Sequence, residues 1–314
     1  MEVIHLSHPG KWDIDPKRSV MALGFFDGVH RGHEKVILTA KRFADENGLQ
    51  SAVMTFYPHP AVVLGKKENP EYLTPLPEKV KRIEALGVDR LYVVKFDEHF
   101  SSFGPQQFVD AYLVNLSVVH AVAGFDFTYG HKGEGTMRTL PEHASGRFQV
   151  TVIPKVEENG EKVSSTKIRE LLRSGDVDEV PPYLGRYYEI EGTVVNGEKR
   201  GRTIGFPTAN IESQESYFIP ATGIYAVRTK VGGHWHDGVA SIGFKPTFHD
   251  DYGERPAVEV HLFDFDGDLY GKQAVVRWFK KLRDEEKFDT VDALVNQMNR
   301  DAAEAQAYLQ TRKG

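Results

Sequence analysis

The ten residues GFFDGVHRGH, Gly24 to His33, sit between an apolar run and an amphipathic one. This junction constrains the fold more than any other stretch of the chain. Val20 to Phe26 predicts a short buried strand, Asp27 and Gly28 a turn, and Arg31 to Asn47 a helix with Val36, Ile37, Ala40 and Ala44 on one face. His30 and His33 then fall at a helix N-terminus, where the first backbone N–H groups are unpaired and the dipole end is positive. Crowding His30, Arg31 and His33 there is unfavourable unless an anion is present. A phosphate resolves the conflict, because amides and imidazoles both donate to its oxygens. A pair of surface histidines in a polar turn would not require strand, glycine turn and helix onset to coincide.

The first half alternates strand and helix patterns. Strands are expected near Val20–Phe26, Ser51–Phe56, Arg90–Phe96 and Val118–Ala123, and helices near Arg31–Asn47, Pro77–Leu86 and Pro105–Leu116. Such alternation predicts a Rossmann-like α/β domain with a parallel sheet covered on both faces, and ligands beyond the carboxyl ends of its strands. At such ends lie the histidine pair, TFYPHP (Thr55 to Pro60) and GFDFTYGHKGEG (Gly124 to Gly135). After a helix at Ser165–Arg173, SGDVDEVPPYLGR reads as a connector. Beyond it EIEGTVV, GIYAVRTKV, HWHDGVASIG, AVEVHLFDF and QAVVRWFKKL are short strands between turns, the pattern of a small antiparallel β-barrel. A C-terminal amphipathic helix, Thr290 to Gln310, is expected to pack Val291, Leu294, Val295, Met298, Ala305 and Leu309 against that barrel. The expected domains are 1–182 and 183–314.

Composition narrows the function. A net charge of −6 gives no global attraction for a polyanion, so nucleic acid is not the expected partner. No apolar run approaches the roughly 18 residues of a membrane span, and the first residues lack a signal-peptide pattern. With no cysteine, disulfides, thiolate metal sites and cysteine nucleophiles are excluded, which suits a reducing cytoplasm. Oligomeric state is not legible.

Two further segments look like phosphate sites. VSSTKIRELL, Val163 to Leu172, opens a helix with Ser164, Ser165 and Thr166, which are good caps. Capping does not explain Lys167 and Arg169, cations at the positive end of the dipole, whereas a bound phosphate does. GEKRGRTIGFPTANI carries Gly197, Gly201 and Gly205 with Lys199, Arg200 and Arg202, a loop able to fold over a nucleotide. In an extended strand the Thr208 hydroxyl and the Asn210 amide oxygen point the same way, two hard neutral oxygens suited to a Mg²⁺ that also holds ATP phosphates. In PAVEVHLFDFDGD, Glu259 faces away from Val258, Val260 and Leu262. It is either a solvent-facing strand residue or a proton acceptor for an attacking hydroxyl. The adjoining DFDGD fails as a calcium loop, since Leu269 and Val275 stand where glycine and glutamate are needed.

The HxGH pattern resembles the nucleotidyltransferase superfamily. With GFDFTYGHKGEGT, SSTKIR, GRTIGFPTAN, GFKPTF and VEVHLFDF in this order, nearly the whole chain is similar to the bacterial bifunctional riboflavin kinase and FAD synthetase family. The resemblance implies an FMN adenylyltransferase half joining FMN and ATP into FAD, and a riboflavin kinase barrel making FMN, both with magnesium. It implies that Gly24, Phe26, His30, His33, Ser164, Thr166 and Arg169 handle ATP in the first reaction, and that Pro58, His59, Asp126 and Phe127 border the flavin. In the kinase, it implies that Thr208 and Asn210 hold Mg-ATP and that Glu259 is the base. Pro181 and Pro182 depart from the helical approach to the second domain expected in the family. Alternatives are another acceptor, as in cytidylyltransferases or pantetheine-phosphate adenylyltransferases, which lack the PTAN barrel, and a catalytically decayed flavin sensor.

Overall fold

The computed structural model describes residues 1–8, 16–63, 65, 70–197, 201, 204–244 and 256–312. They form two compact units, Met1–Ser165 and Thr166–Gly314.

In the first unit six strands make one sheet: β1 (Glu2–Leu6), β2 (Ser19–Leu23), β3 (Gln50–Tyr57), β4 (Arg90–Lys95), β5 (Val118–Gly124) and β6 (Gln149–Ile153). Their order is β1-β4-β3-β2-β5-β6 and every neighbouring pair is parallel. Strand β2 is buried throughout, so it reads as a continuous apolar run. Met21 and Leu23 join the core on one face with Met54, Tyr92 and Tyr112, while Val20 and Ala22 join Val53, Ile37 and Ala40 on the other. Helix α1 (Arg31–Glu46) buries Val36, Ile37, Ala40 and Ala44 on that second face, as its apolar stripe requires.

Several boundaries differ from expectation. Strand β2 stops at Leu23, leaving Gly24 to Phe26 in the loop. The two outer strands, β1 and β6, escaped the sequence reading because they are largely exposed edge strands without a buried apolar run. The helix expected over Pro105–Leu116 is an α-turn at Pro105–Phe108 continued by a π-helix, Val109–Val114. Helix α2 (Leu76–Ala85) begins with Pro77 inside its first turn, as anticipated.

The second unit opens with α3 (Ser165–Ser174), whose first residue still belongs to the first unit. The connector that follows is helical: a 3₁₀ turn at Val177–Glu179 and a short helix at Pro181–Leu184. The proline pair starts that helix rather than preventing it, since an N1 proline has the right φ and no N–H to waste. Packing groups this stretch with the barrel. The Ala221 N–H donates to the Leu172 carbonyl at 2.9 Å, and the Arg173 guanidinium lies 5.1 Å from the Phe218 ring. Residues 166 to 182 are thus grouped with the second unit.

The barrel is closed and antiparallel, built from β7 (Glu189–Val195), β8 (Ala209–Glu212), β9 (Gly223–Val231), β10 (His234–Gly243), β11 (Ala257–Leu262) and β12 (Gln273–Arg283) in the order β7-β8-β11-β10-β9-β12. Alternation on β7 and β11 sends Ile190, Val194, Val258, Val260 and Leu262 inward. Helix α4 (Val291–Gln310), capped by Thr290, covers the barrel with Ala305 and Leu309 against Ala226 and Phe279. Val291 is exposed, unlike the rest of the expected stripe, because the helix meets the barrel mainly through its second half. Asp301, also buried, accepts from Arg283 Nε and Nη2 at 2.9 and 2.8 Å.

Candidate active sites

In the first unit, the loops leaving the carboxyl ends of β2, β3, β5 and β6 carry the sequence-predicted residues, as expected for a parallel sheet. The loop after β2 is tightly built. Phe26, Gly28 and Val29 adopt φ of 54°, 94° and 41°, left-handed values that are costly for Phe and Val. Gly24 is required by close approach, since a Cβ there would lie 2.7 Å from the Phe26 ring. Hydrogen bonds from elsewhere in the unit hold this shape. The Asp27 carboxylate, itself buried, accepts from the Leu73 and Thr74 N–H groups at 3.2 and 3.0 Å. The Ser165 hydroxyl donates to the Asp27 carbonyl at 2.7 Å, and the Thr55 hydroxyl to the Phe25 carbonyl at 2.8 Å.

This loop delivers His30 as the N-cap of α1. Its Nδ1 accepts the His33 N–H at 3.2 Å, and the two imidazoles stack with centroids 3.5 Å apart. An Nδ1 that accepts carries no proton, so the neutral His30 ring presents Nε2–H as its donor. His33 lies edge-on to Phe26, and its Nδ1 is buried with no hydrogen-bond partner. Burial, with the charges of Lys79 and Lys162 adding to it, holds the His33 pKa well below its ordinary value. A buried, unpartnered imidazole nitrogen among cations at a helix N-terminus is the arrangement an anionic ligand completes.

The other predicted residues are placed as follows. His59 Nδ1 accepts the Ala61 N–H at 3.0 Å, and its ring meets Phe25 edge-on at 4.6 Å. Pro58 precedes it after a cis peptide bond. Asp126 pairs with Lys162, whose ammonium also lies 4.8 Å from the ring of Phe125. Phe127 packs toward the core beside Tyr129, whereas Phe125 is 47% exposed. Arg31 pairs with Glu158 of the hairpin that leads to Ser164. Thr166 and Arg169 follow in the first turns of α3, and Lys167 lies over the Tyr183 ring at 5.8 Å.

Sequence reasoning missed the loop's supports: Asp27 as a buried acceptor, Ser165 as its tie, and Lys79. The last had a signal. Lys79 stands one turn before the buried Ile83 on α2, so it lies on the apolar stripe.

In the barrel, Glu259 on β11 lies opposite Asn210 on β8 and Ser241 on β10. The Thr208 hydroxyl donates to Glu259 Oε2 at 3.3 Å, and His261 Nδ1 donates to the Pro207 carbonyl at 2.9 Å. These two contacts lash the PTAN stretch to β11. Thr208 directly precedes β8, and Asn210 is buried against Gly197, where a Cβ would collide with its amide. One carboxylate beside a hydroxyl and an amide is a hard-oxygen set that fits magnesium carried by a nucleotide better than a protein-only metal cage. Among the described residues no cluster of three or more His, Cys, Asp or Glu could hold a metal. Gly201 and Gly205 border this stretch, while Lys199, Arg202 and most of GFKPTF lie outside the described residues. Among the described residues no helix is long and apolar enough to cross a membrane.

Comparison with known proteins agrees with this division. A family model described as FAD synthetase matches residues 13–167, and one described as riboflavin kinase matches 184–309. The chain is 49% identical over 311 residues to a bifunctional riboflavin kinase/FMN adenylyltransferase of Bacillus subtilis, covering 98% of each. It is 48% identical to the protein of that description in Listeria monocytogenes, again with 98% of each covered, and 36% identical to that in Escherichia coli, with 92% of each covered. A solved structure from Streptococcus pneumoniae, described as a macrolide-efflux protein, superposes with a TM-score of 0.85 at 35% identity, covering 95% of this chain and 97% of that one. That description is at odds with the two family models, while the fold it labels is the same.

Proposed function

From the premise that the chain belongs to the bifunctional riboflavin kinase/FMN adenylyltransferase family, we propose how its residues divide the two reactions. The enzyme phosphorylates riboflavin to FMN with ATP and then transfers an adenylyl group from ATP to FMN, giving FAD and pyrophosphate. We assign 1–182 to adenylyl transfer and 183–314 to the kinase.

In adenylyl transfer an FMN phosphate oxygen attacks the α-phosphorus of ATP, and the bond from that phosphorus to the bridging oxygen breaks. The attacking phosphate is already ionised, so no general base is needed. What this chain must supply is position and compensation of charge on the α-phosphate and the leaving pyrophosphate. We assign these tasks to His30 Nε2–H, His33, Ser164, Thr166 and Arg169, with Gly24 and Phe26 along the nucleotide. Pro58, His59, Asp126 and Phe127 are assigned to the flavin. The observation that carries the reading is the buried, unpartnered His33 Nδ1 beside the capping His30.

In the kinase the riboflavin 5′-hydroxyl attacks the γ-phosphorus of ATP, the bond from that phosphorus to the β,γ-bridging oxygen breaks and ADP leaves, and the hydroxyl proton passes to Glu259. Thr208 and Asn210 would hold the magnesium of Mg-ATP, which neutralises phosphate charge. Gly197, Lys199, Gly201, Arg202 and Gly205 are assigned to the nucleotide. Cytoplasmic location is part of the proposal and fits the absence of cysteine.

Incubating the protein with riboflavin, magnesium and ATP and resolving flavins by chromatography tests the reading. FMN followed by FAD is expected; riboflavin left unreacted by a folded sample overturns it.

A further inference from the structure

Lysine is among the residues least often found fully buried. Lys79 is nevertheless only 2% exposed, at the inner face of α2. Its ammonium donates to the Phe25 carbonyl at 2.7 Å and to the Thr55 hydroxyl at 3.3 Å, and lies 4.3 Å from the Phe25 ring centre. Phe25 is the residue immediately before the left-handed Phe26 and five before the capping His30. The Phe25 carbonyl thus takes two donors at the point where the chain leaves β2 for the strained loop. An apolar side chain on α2 would satisfy the helix stripe, and Thr55 alone would satisfy the carbonyl. Fold stability does not account for a desolvated charge here.

We propose that Lys79 is a positioning residue for adenylyl transfer: its buried ammonium clamps the Phe25 carbonyl, holds the loop that sets His30 and His33, and keeps a positive charge behind the phosphate site. The inference rests on the assignment of that loop to adenylyl transfer. Lys79 is too buried to touch substrate, so it acts through Phe25 and through its field. Asp27 on the loop is the facing carboxylate and draws the charge toward it; His33 on α1 feels that charge as repulsion. Burial brings the Lys79 pKa down to about 8. Above that pH the neutral amine still donates to Phe25, so geometry persists while the charge is lost.

The test measures kcat/KM for ATP in FMN adenylylation against pH, which reports groups of the free enzyme, for wild type, Lys79→Met, Lys79→Arg and His33→Ala. Wild-type activity is expected to fall as pH rises through about 8. Lys79→Arg keeps its charge and should lose that alkaline fall. Lys79→Met should be reduced about 10²-fold at neutral pH, the effect of a small misplacement at a reacting centre, and should also lack the fall. Riboflavin phosphorylation should stay within about twofold in every variant, since Lys79 belongs to the first unit. The proposal is overturned if Lys79→Met adenylylates at close to the wild-type rate, or if Lys79→Arg keeps the same alkaline fall. Should Lys79→Met not fold, the Lys79→Arg profile alone decides. Activity retained in Lys79→Met but lost in His33→Ala discards Lys79 and spares the site; activity retained in both discards the site as well.

Discussion

His30 accepts the backbone N–H of His33 on its Nδ1, so the first imidazole of the motif caps the helix that carries the second. One side chain therefore has a structural duty and a chemical one on opposite ring nitrogens. Capping fixes the tautomer, and the tautomer leaves Nε2–H to donate. Protonating Nδ1 would break the cap, so His30 acts as a neutral donor.

These duties can be separated. His30→Asn retains a side-chain acceptor for the helix N-terminus but lacks the Nε2 donor. Thermal unfolding is expected to stay near that of wild type, while FMN adenylylation falls about 10² to 10³-fold. His30→Ala should lose the same activity and about 1 kcal/mol of stability besides. Calorimetry and flavin chromatography on both variants check the pair.

His33 is held neutral by burial, with the neighbouring cations Lys79 and Lys162 adding to it. A triphosphate offsets these charges and raises its pKa, so ATP binding near neutral pH should take up protons. Titration calorimetry in buffers of differing ionisation enthalpy should show this uptake, and His33→Ala should abolish it. Stability follows the opposite route. The unfolded imidazole titrates near 6.5 and the folded one lower, so the contribution of this group is complete above about 6.5 and declines as pH falls through the lowered value.

Glu259→Gln preserves strand register and the contact with Thr208 but removes the proton acceptor. Riboflavin phosphorylation should fall about 10² to 10⁴-fold. FMN supplied directly should still become FAD at close to the wild-type rate. Comparing both substrates on one preparation, with circular dichroism to confirm folding, checks this. Normal FMN formation would return Glu259 to an ordinary strand residue.

Asp301→Ala should loosen the C-terminal helix. The carboxylate is 4% exposed and takes two donors from Arg283 and one from Gln297. Removing it leaves a partly buried guanidinium unpaired, a loss of about 3 kcal/mol. Thermal denaturation should register that loss in the second unit, with adenylylation of FMN little changed at room temperature.

Much of the fold was legible because periodicity and turn chemistry are local. The histidine spacing announced a helix onset, the continuous apolar β2 announced a parallel strand, and alternation on β11 announced which side Glu259 takes. What eluded the sequence was set at a distance. Strands β1 and β6 became strands by pairing with the sheet edges, not by their own pattern. Pro181 and Pro182 marked a break by composition, yet they begin a helix because the chain there packs with the barrel strands.

The site divides the same way. Residue types and order alone named His30, His33, Thr208, Asn210 and Glu259 as candidates for phosphate chemistry. Only the tertiary structure decided that Asp27 would accept from Leu73 and Thr74, that Ser165 would reach the Asp27 carbonyl, and that Lys79 would stand under Phe25. Each of those contacts joins residues dozens of positions apart. Its value comes from desolvation and geometry, and neither exists until the sheet has brought the loops together.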